Sequence, residues 1–153
     1  SAAMSGNGEE TILAATAVLA DAKVAPELES EARHYRSKAL VEANQLTHAV
    51  ADWEALAKDT RNVYGAEAKY RLAQYLFDSG KTKEAEQEVL NYLEVSTPHA
   101  YWLARSFVLL SDIYAKLDRK LEARQYLLSL KQNYQADDDI AGMIESRLEN
   151  LSE

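Results

Sequence analysis

The three histidines are the residues of this 153-residue chain best suited to moving protons near neutral pH. His34, His48 and His99 lie far apart in the sequence, and none has a partner at a spacing typical of a catalytic pair. We interpret His34 and His48 as packing or surface residues of helices, with His34 on a side that could line a groove. His99 follows Pro98, and this order predicts a turn and then the start of a helix.

The acidic run Asp137-Asp138-Asp139 raises the question of a calcium site. A calcium loop needs alternating oxygen ligands, a central glycine and a distant glutamate, which this segment lacks. We therefore predict an N-terminal helix cap. Glycine-rich phosphate loops, His-Glu-x-x-His zinc helices and Gly-x-Ser-x-Gly elbows are also missing from the sequence, which has no cysteine. An enzyme is the least favoured function, and we assign no catalytic residue, metal or cofactor.

The composition favours a folded, helical protein with an acidic surface. Hydrophobic residues make up 47% of the chain, while only 5 glycines and 2 prolines interrupt it. The formal net charge of -8 disfavours nucleic acid and anionic lipid surfaces as partners. The longest apolar-leaning run, 11–20, is about half of the roughly 20 residues that a membrane-spanning helix needs, so we expect no direct membrane insertion.

The sequence repeats itself three times. Residues 66–89 follow a helix, turn, helix pattern, and 104–127 match them at a spacing of 38 (118 minus 80), small residue on small and large on large. A weaker copy lies upstream at a spacing of 36 (80 minus 44). The turn position holds Asn44, Gly80 or Asp118, the residue types that most readily adopt the left-handed conformation ending a helix. The sequence therefore predicts three helix pairs with equivalent turns.

A small residue follows each turn at the same distance. Ala49, Ala85 and Ala123 each lie five positions after their turn residue. We expect a small side chain there to let the second helix of a pair approach the first, whereas a larger one would wedge the helices apart.

These repeats resemble the tetratricopeptide repeat (TPR) family. The resemblance covers three copies at roughly 30–61, 66–97 and 104–134, and the second copy, followed by Pro98, matches best. Arg36 departs from the pattern, because it stands where a core leucine is usual. The resemblance implies an all-α, right-handed superhelical stack of antiparallel helix pairs. The segments DTRNVYGAEAKYRLAQ and TPHAYWLARSFVLLSDIYAK further resemble the C-terminal region of large TPR proteins of Bacteroides-type bacteria, which favours the cell envelope or periplasm.

Helices should flank the repeats on both sides. Helical spacing predicts one helix at roughly 9–23, ending before Pro26, and a capping helix at roughly 138–151. We interpret 1–8 as a disordered tail or the remnant of an expression tag, and 9–152 as a single TPR-like domain. The first flanking helix resembles the second half of a truncated repeat, so we expect the chain to be a fragment of a larger protein.

The resemblance also implies a binding surface. In the family the first helix of each pair lines the concave face, and five of its positions point at the ligand. Carried onto this chain, these positions are Glu31, His34, Tyr35, Lys38 and Glu42; Glu67, Tyr70, Arg71, Gln74 and Asp78; and Arg105, Val108, Leu109, Asp112 and Lys116. Their mixed charges, aromatic rings and amides suit an extended polypeptide.

The aromatic residues divide into two predicted classes. Trp53, Tyr75 and Tyr114 are expected to pack between helices, and Tyr101 with Trp102 should cover the seam between the second and third pairs. Tyr35 and Tyr70 are instead expected to be exposed anchors on the concave face. The leading hypothesis is a protein- or peptide-binding scaffold. The alternatives are a structural end of a longer solenoid whose ligand binds elsewhere and, least favoured, an all-α enzyme.

Overall fold

The chain is all-α. The computed structural model describes residues 6–95 and 97–152, and within those ranges it contains eight α-helices and no β-strand. The helices are α1 Gly6–Ala20, α2 Pro26–Glu42, α3 Leu46–Leu56, α4 Val63–Asp78, α5 Thr82–Glu94, α6 Ala100–Lys116, α7 Lys120–Asn133 and α8 Ile140–Leu151. The prediction of an all-α protein is confirmed. None of the described helices is long and apolar enough to cross a membrane.

The helices form two compact units. The N-terminal unit ends at Lys69 and the C-terminal unit begins at Tyr70, so the boundary falls within α4. In the N-terminal unit α2 packs against both α1 and α3. In the C-terminal unit α6 packs against α5, α7 and α8, and α7 also contacts α8. That 9–152 form a single domain stays a prediction.

The three predicted turns share one geometry. Asn44, Gly80 and Asp118 adopt φ values of 62°, 81° and 61°. After each of them, the next amide donates a hydrogen bond back to a carbonyl five residues earlier, as in the Schellman motif, from Gln45 to Leu40 (2.8 Å), Lys81 to Leu76 (2.9 Å) and Arg119 to Tyr114 (2.8 Å). The prediction of equivalent left-handed turns is confirmed.

The small residues after the turns are fully buried. Ala49, Ala85 and Ala123 are each 0% exposed. The amide of each alanine donates to the carbonyl four residues earlier, which is the first full turn of the second helix in each pair. A methyl group therefore marks the same buried position in all three pairs.

Arg36, which departs from the repeat pattern, forms an ion pair with an acidic residue on the next helix. Its guanidinium donates to both carboxylate oxygens of Asp52, at 2.9 and 2.6 Å, and to the Thr16 hydroxyl at 3.1 Å. Asp52 is only 2% exposed, so this ion pair lies at the packed α2–α3 contact and is tied to α1. The hydrogen bond to Asp52 is the largest of the effects that raise the pKa of Arg36.

Two apolar clusters stabilise the C-terminal unit. One gathers α4, α5, α6 and α7 around Leu109, Leu110 and Ile113. The other joins α6 and α7 to Ile140 and Ile144 of α8, which are 1% and 2% exposed. Burial of this α8 stripe agrees with the predicted capping helix.

Some expected positions differ in the structure. The first flanking helix begins at Gly6 and ends at Ala20, because the Asp21 carboxylate accepts from the Lys23 amide in a turn and Ala25 is extended before Pro26. The proposed tail at 1–8 thus includes helical residues 6–8, and 1–5 lie outside the described residues. Tyr114 and Trp53 are buried as expected, whereas Tyr75 is only half-buried.

Replacing Ala85 with leucine should destabilise the protein by about 1 to 3 kcal/mol, because three extra carbons do not fit a fully buried contact. Thermal or urea unfolding measures the change. The matched control is Ala51→Leu, at an exposed position of α3, which should alter stability little. Equal effects of the two variants would show that the alanine register does not control packing.

Replacing Asp52 with alanine should lower the free energy of unfolding by about 3 kcal/mol, because it leaves the half-buried Arg36 guanidinium without its carboxylate. The double variant Arg36→Leu/Asp52→Leu removes both charges and should recover most of the loss. Urea unfolding of the three proteins checks this. A double variant as unstable as Asp52→Ala would contradict the ion-pair explanation.

Candidate functional site

The predicted face residues of the N-terminal unit differ in exposure. Glu31, Tyr35, Lys38 and Glu42 are exposed, whereas His34 is buried and Glu67 is half-buried. Tyr35 is 45% exposed, a large fraction for an aromatic ring. On α2, therefore, four of the five positions predicted to face a ligand reach solvent.

The corresponding residues of the C-terminal unit are less accessible. Tyr70, Val108 and Leu109 are 5%, 3% and 2% exposed, so the expectation that these three would face a ligand is wrong. Half-buried or exposed positions remain on the same helices: Arg71, Gln74, Asp78, Arg105, Asp112 and Lys116.

The position of Tyr70 within the repeat explains why it is a core residue. His34, Tyr70 and Val108 occupy the same place in the three copies, and all are at most 9% exposed. That place faces packed side chains rather than solvent. The Tyr70 ring belongs to the cluster containing Ala73 and Leu109, so it does not act as an exposed anchor.

Arg105 contacts three aromatic residues of the C-terminal unit. Its guanidinium lies 4.9 Å from the Tyr70 ring centre and 5.9 Å from those of Tyr101 and Trp102. It donates to the Tyr70 and Tyr101 hydroxyls, both at 3.0 Å. Burial lowers the pKa of Arg105, but these hydrogen bonds outweigh it and the net pKa is raised. The cation is held in place by aromatic partners.

A second guanidinium, that of Arg71, lies over the rings of Tyr70 and Trp102. It is 5.5 Å from the Tyr70 ring centre and 5.4 Å from that of Trp102. Trp102 packs on the Tyr70 side of the apolar cluster, with 5.8 Å between ring centres. The prediction that Trp102 covers the contact between the second and third pairs agrees with its packing against Tyr70 of α4.

Side-chain hydrogen bonds continue from Tyr70 along α4. The Tyr70 hydroxyl donates to Gln74 Oε1 at 3.1 Å, and Gln74 Nε2 donates to Asp78 Oδ1 at 2.8 Å. Hydrogen bonds therefore hold both the oxygen and the nitrogen of the Gln74 side-chain amide.

Asp112 pairs with Arg147 of α8. Arg147 Nε and Nη2 donate to the two carboxylate oxygens at 3.2 and 3.3 Å. Burial raises the pKa of Asp112, and the Arg147 charge and hydrogen bond oppose the rise without cancelling it. The pair lines a pocket of about 370 Å³ that also includes Lys120 and Asn150. Lys116 is exposed one turn further along α6.

The acidic run before α8 serves two purposes. Asp138 accepts from the Ile140 amide at 2.9 Å, which caps the helix start one position earlier than Asp139 would. Asp139 instead accepts from the Tyr101 hydroxyl at 2.8 Å and makes no side-chain cap. Burial is the main cause that raises the pKa of Tyr134 to about 12, and the hydrogen bond to Asp138 adds to it. Capping is confirmed for Asp138 only.

The histidines occupy three different environments. His34 stacks on Tyr64, with 4.1 Å between ring centres and 20° between planes. His48 Nδ1 lies 3.1 Å from Gln45 Oε1 on the exposed side of α3. The His99 amide donates to the Thr97 hydroxyl at 3.2 Å directly before α6, which confirms the predicted turn and helix start. Among the described residues no group of three or more His, Asp or Glu side chains has the arrangement of a metal site.

Tyr64 is a site residue that was not predicted. It lies in the first turn of α4, where its amide donates to Asn62 Oδ1 at 2.8 Å. Gly65 follows it, and a Cβ there would stand 1.9 Å from the Asp59 carbonyl oxygen, so only glycine permits this close approach. The pair Tyr64-Gly65 at a helix start was the available signal.

Comparisons with protein-family models, with curated proteins and with solved structures gave no significant match.

Replacing Tyr70 with alanine should cost about 3 to 5 kcal/mol of stability, because the ring fills the core next to Leu109. Tyr70→Phe keeps the ring and should cost only about 0.5 to 1.5 kcal/mol for the lost hydrogen bonds to Arg105 and Gln74. Thermal melts of both variants decide the matter. A Tyr70→Ala protein as stable as the wild type would restore the exposed-anchor interpretation.

Proposed function

We propose that this chain is a TPR-like scaffold that binds a protein or peptide segment through the first helices of its pairs, arranged as a right-handed superhelical stack. The observation that carries the proposal is the repeated register. At 44, 80 and 118 the same left-handed turn recurs, and the same buried alanine follows it five positions later. Equivalent helix pairs at such spacings are the building units of helical repeat proteins, whose extended surfaces bind other chains.

The side chains on the first helices support a polypeptide ligand. On α2 the accessible set combines a carboxylate, an aromatic ring and an amine, in Glu31, Tyr35 and Lys38. On α4 and α6 it combines guanidinium, amide and carboxylate groups. Such mixtures match the alternating side chains and backbone amides of an extended peptide better than a small apolar ligand.

A structural role at the end of a longer solenoid is the second candidate. The observation that favours it is α8, whose buried Ile140 and Ile144 cover the apolar side of α6 and α7. A terminal cover of this kind is what an end repeat requires. In this case the ligand would bind elsewhere.

Affinity capture from a lysate of the source cells, compared between paired variants, tests the proposal. Lys38→Glu/Lys116→Glu reverses two exposed charges on first helices, and Lys83→Glu/Arg124→Glu reverses two exposed charges on second helices as the matched control. We expect partners captured by the wild type and the control to be lost from the first variant, because removing favourable contacts typically costs about 1 to 3 kcal/mol, roughly a five-fold to 150-fold loss of affinity. Loss with the control alone would contradict a first-helix binding face.

A further inference from the structure

An aromatic corner stands at the start of the N-terminal unit's predicted face. His34 and Tyr64 stack, and the Tyr35 ring stands across them, at 5.0 Å and 73° to His34 and 6.4 Å and 62° to Tyr64. Two ring planes close to perpendicular form the walls of an aromatic box. We define His34, Tyr35 and Tyr64 as the aromatic corner.

Rigid elements hold the corner in place. His34 and Tyr35 are adjacent on α2, and His34 is 9% exposed. The backbone at Tyr64 is fixed by the Asn62 cap and by the close approach of Gly65 to the Leu56 and Asp59 carbonyls, and the Tyr64 ring stacks on His34. Because the three rings contact one another and two of them lie side by side on one helix, the corner is preorganised for a ligand.

Two carboxylates lie near enough to the Tyr64 hydroxyl to act on it electrostatically. Glu31 lies one helical turn before Tyr35 and is exposed, and Glu67 lies three residues after Tyr64. Both carboxylates contribute to the raised pKa of Tyr64, after burial and the neighbouring Tyr35 hydroxyl. The negative faces of the rings and these two carboxylates attract positive charge and repel anions. The exposed Lys38 lies about one helical turn after Tyr35, and its positive charge opposes the effect of the two carboxylates.

We propose that the aromatic corner and Glu31 form a cation subsite that receives a lysine or arginine side chain of a bound peptide. The inference rests on the proposed peptide-binding function and adds the chemical class of one ligand residue. With 45% of its surface in water, the Tyr35 ring is accessible to a ligand side chain while it still contacts His34 and Tyr64.

The test follows the ring resonances of Tyr35 and His34 by NMR during titration with three probes. The first probe is a capped Gly-Ser-Lys-Ser-Gly peptide, the second has glutamine in place of lysine, and the third is tetramethylammonium chloride. We expect the lysine peptide to shift both rings with a Kd at least about five-fold lower than that of either other probe, because it supplies both the cation and the backbone.

Variants at exposed positions separate the ring from the hydroxyl and the charge. Tyr35→Leu should raise the Kd of the lysine peptide about ten-fold, whereas Tyr35→Phe should stay within about two-fold. Glu31→Gln should raise it about three-fold and Lys38→Gln should lower it about two-fold, following the sign of each charge. Glu54→Gln, at an exposed carboxylate of α3 outside the predicted face, is the matched control and should change nothing.

The outcomes distinguish this inference from the function on which it rests. Equal binding of the lysine and glutamine peptides overturns the cation subsite and leaves the peptide-binding face standing. Equal binding of tetramethylammonium and the lysine peptide overturns the assignment to a peptide side chain. Binding that Tyr35→Leu leaves unaltered removes the aromatic corner from recognition, and no shift with any probe overturns both the subsite and peptide binding at this face.

Discussion

The left-handed turn at 44, 80 and 118 is the constraint on which the rest of the structure depends. A positive φ at one residue, closed by the next amide bonding back into the helix, ends the first helix of each pair and starts the second. A fully buried alanine follows five residues on in each pair, where a larger side chain would have to displace its neighbours. The register therefore places the same buried contact in all three pairs.

Polar residues at packed positions show how strictly the register is kept. Arg36 occupies a place suited to leucine, and the chain retains it by supplying the buried Asp52 on the next helix. Tyr70 fills a core place, and its hydroxyl is satisfied by Arg105 and Gln74. In both cases a hydrogen bond to a neighbouring helix removes the cost of burying a polar atom. Arg105 is thereby fixed at the edge of the predicted face, where a ligand would meet an oriented side chain.

The sequence was sufficient for features that depend on local chemistry. The residue types of Asn44, Gly80 and Asp118 predicted the turns, and the small side chain of Ala85 predicted a close helix contact. The partners of long side chains could not be predicted from the sequence. Arg105 donates to the Tyr70 hydroxyl, and Asp139 accepts from the Tyr101 hydroxyl, only because three-dimensional packing brings these residues together. The face itself was only partly predicted. Positions 35, 71 and 109 share one place in the repeat, yet Tyr35 is exposed and Leu109 is 2% exposed, since their neighbours differ.

Amide hydrogen exchange measured residue by residue tests the repeated turn most directly. We expect the Gln45, Lys81 and Arg119 amides, each donating across its turn at 2.8 to 2.9 Å, to exchange slowly. The amides of Thr47, Lys83 and Leu121, in the first turns of the following helices, should exchange much faster, since first-turn amides have no partner within their own helix. Equally fast exchange at both sets of amides would contradict the shared turn and, with it, the repeat register.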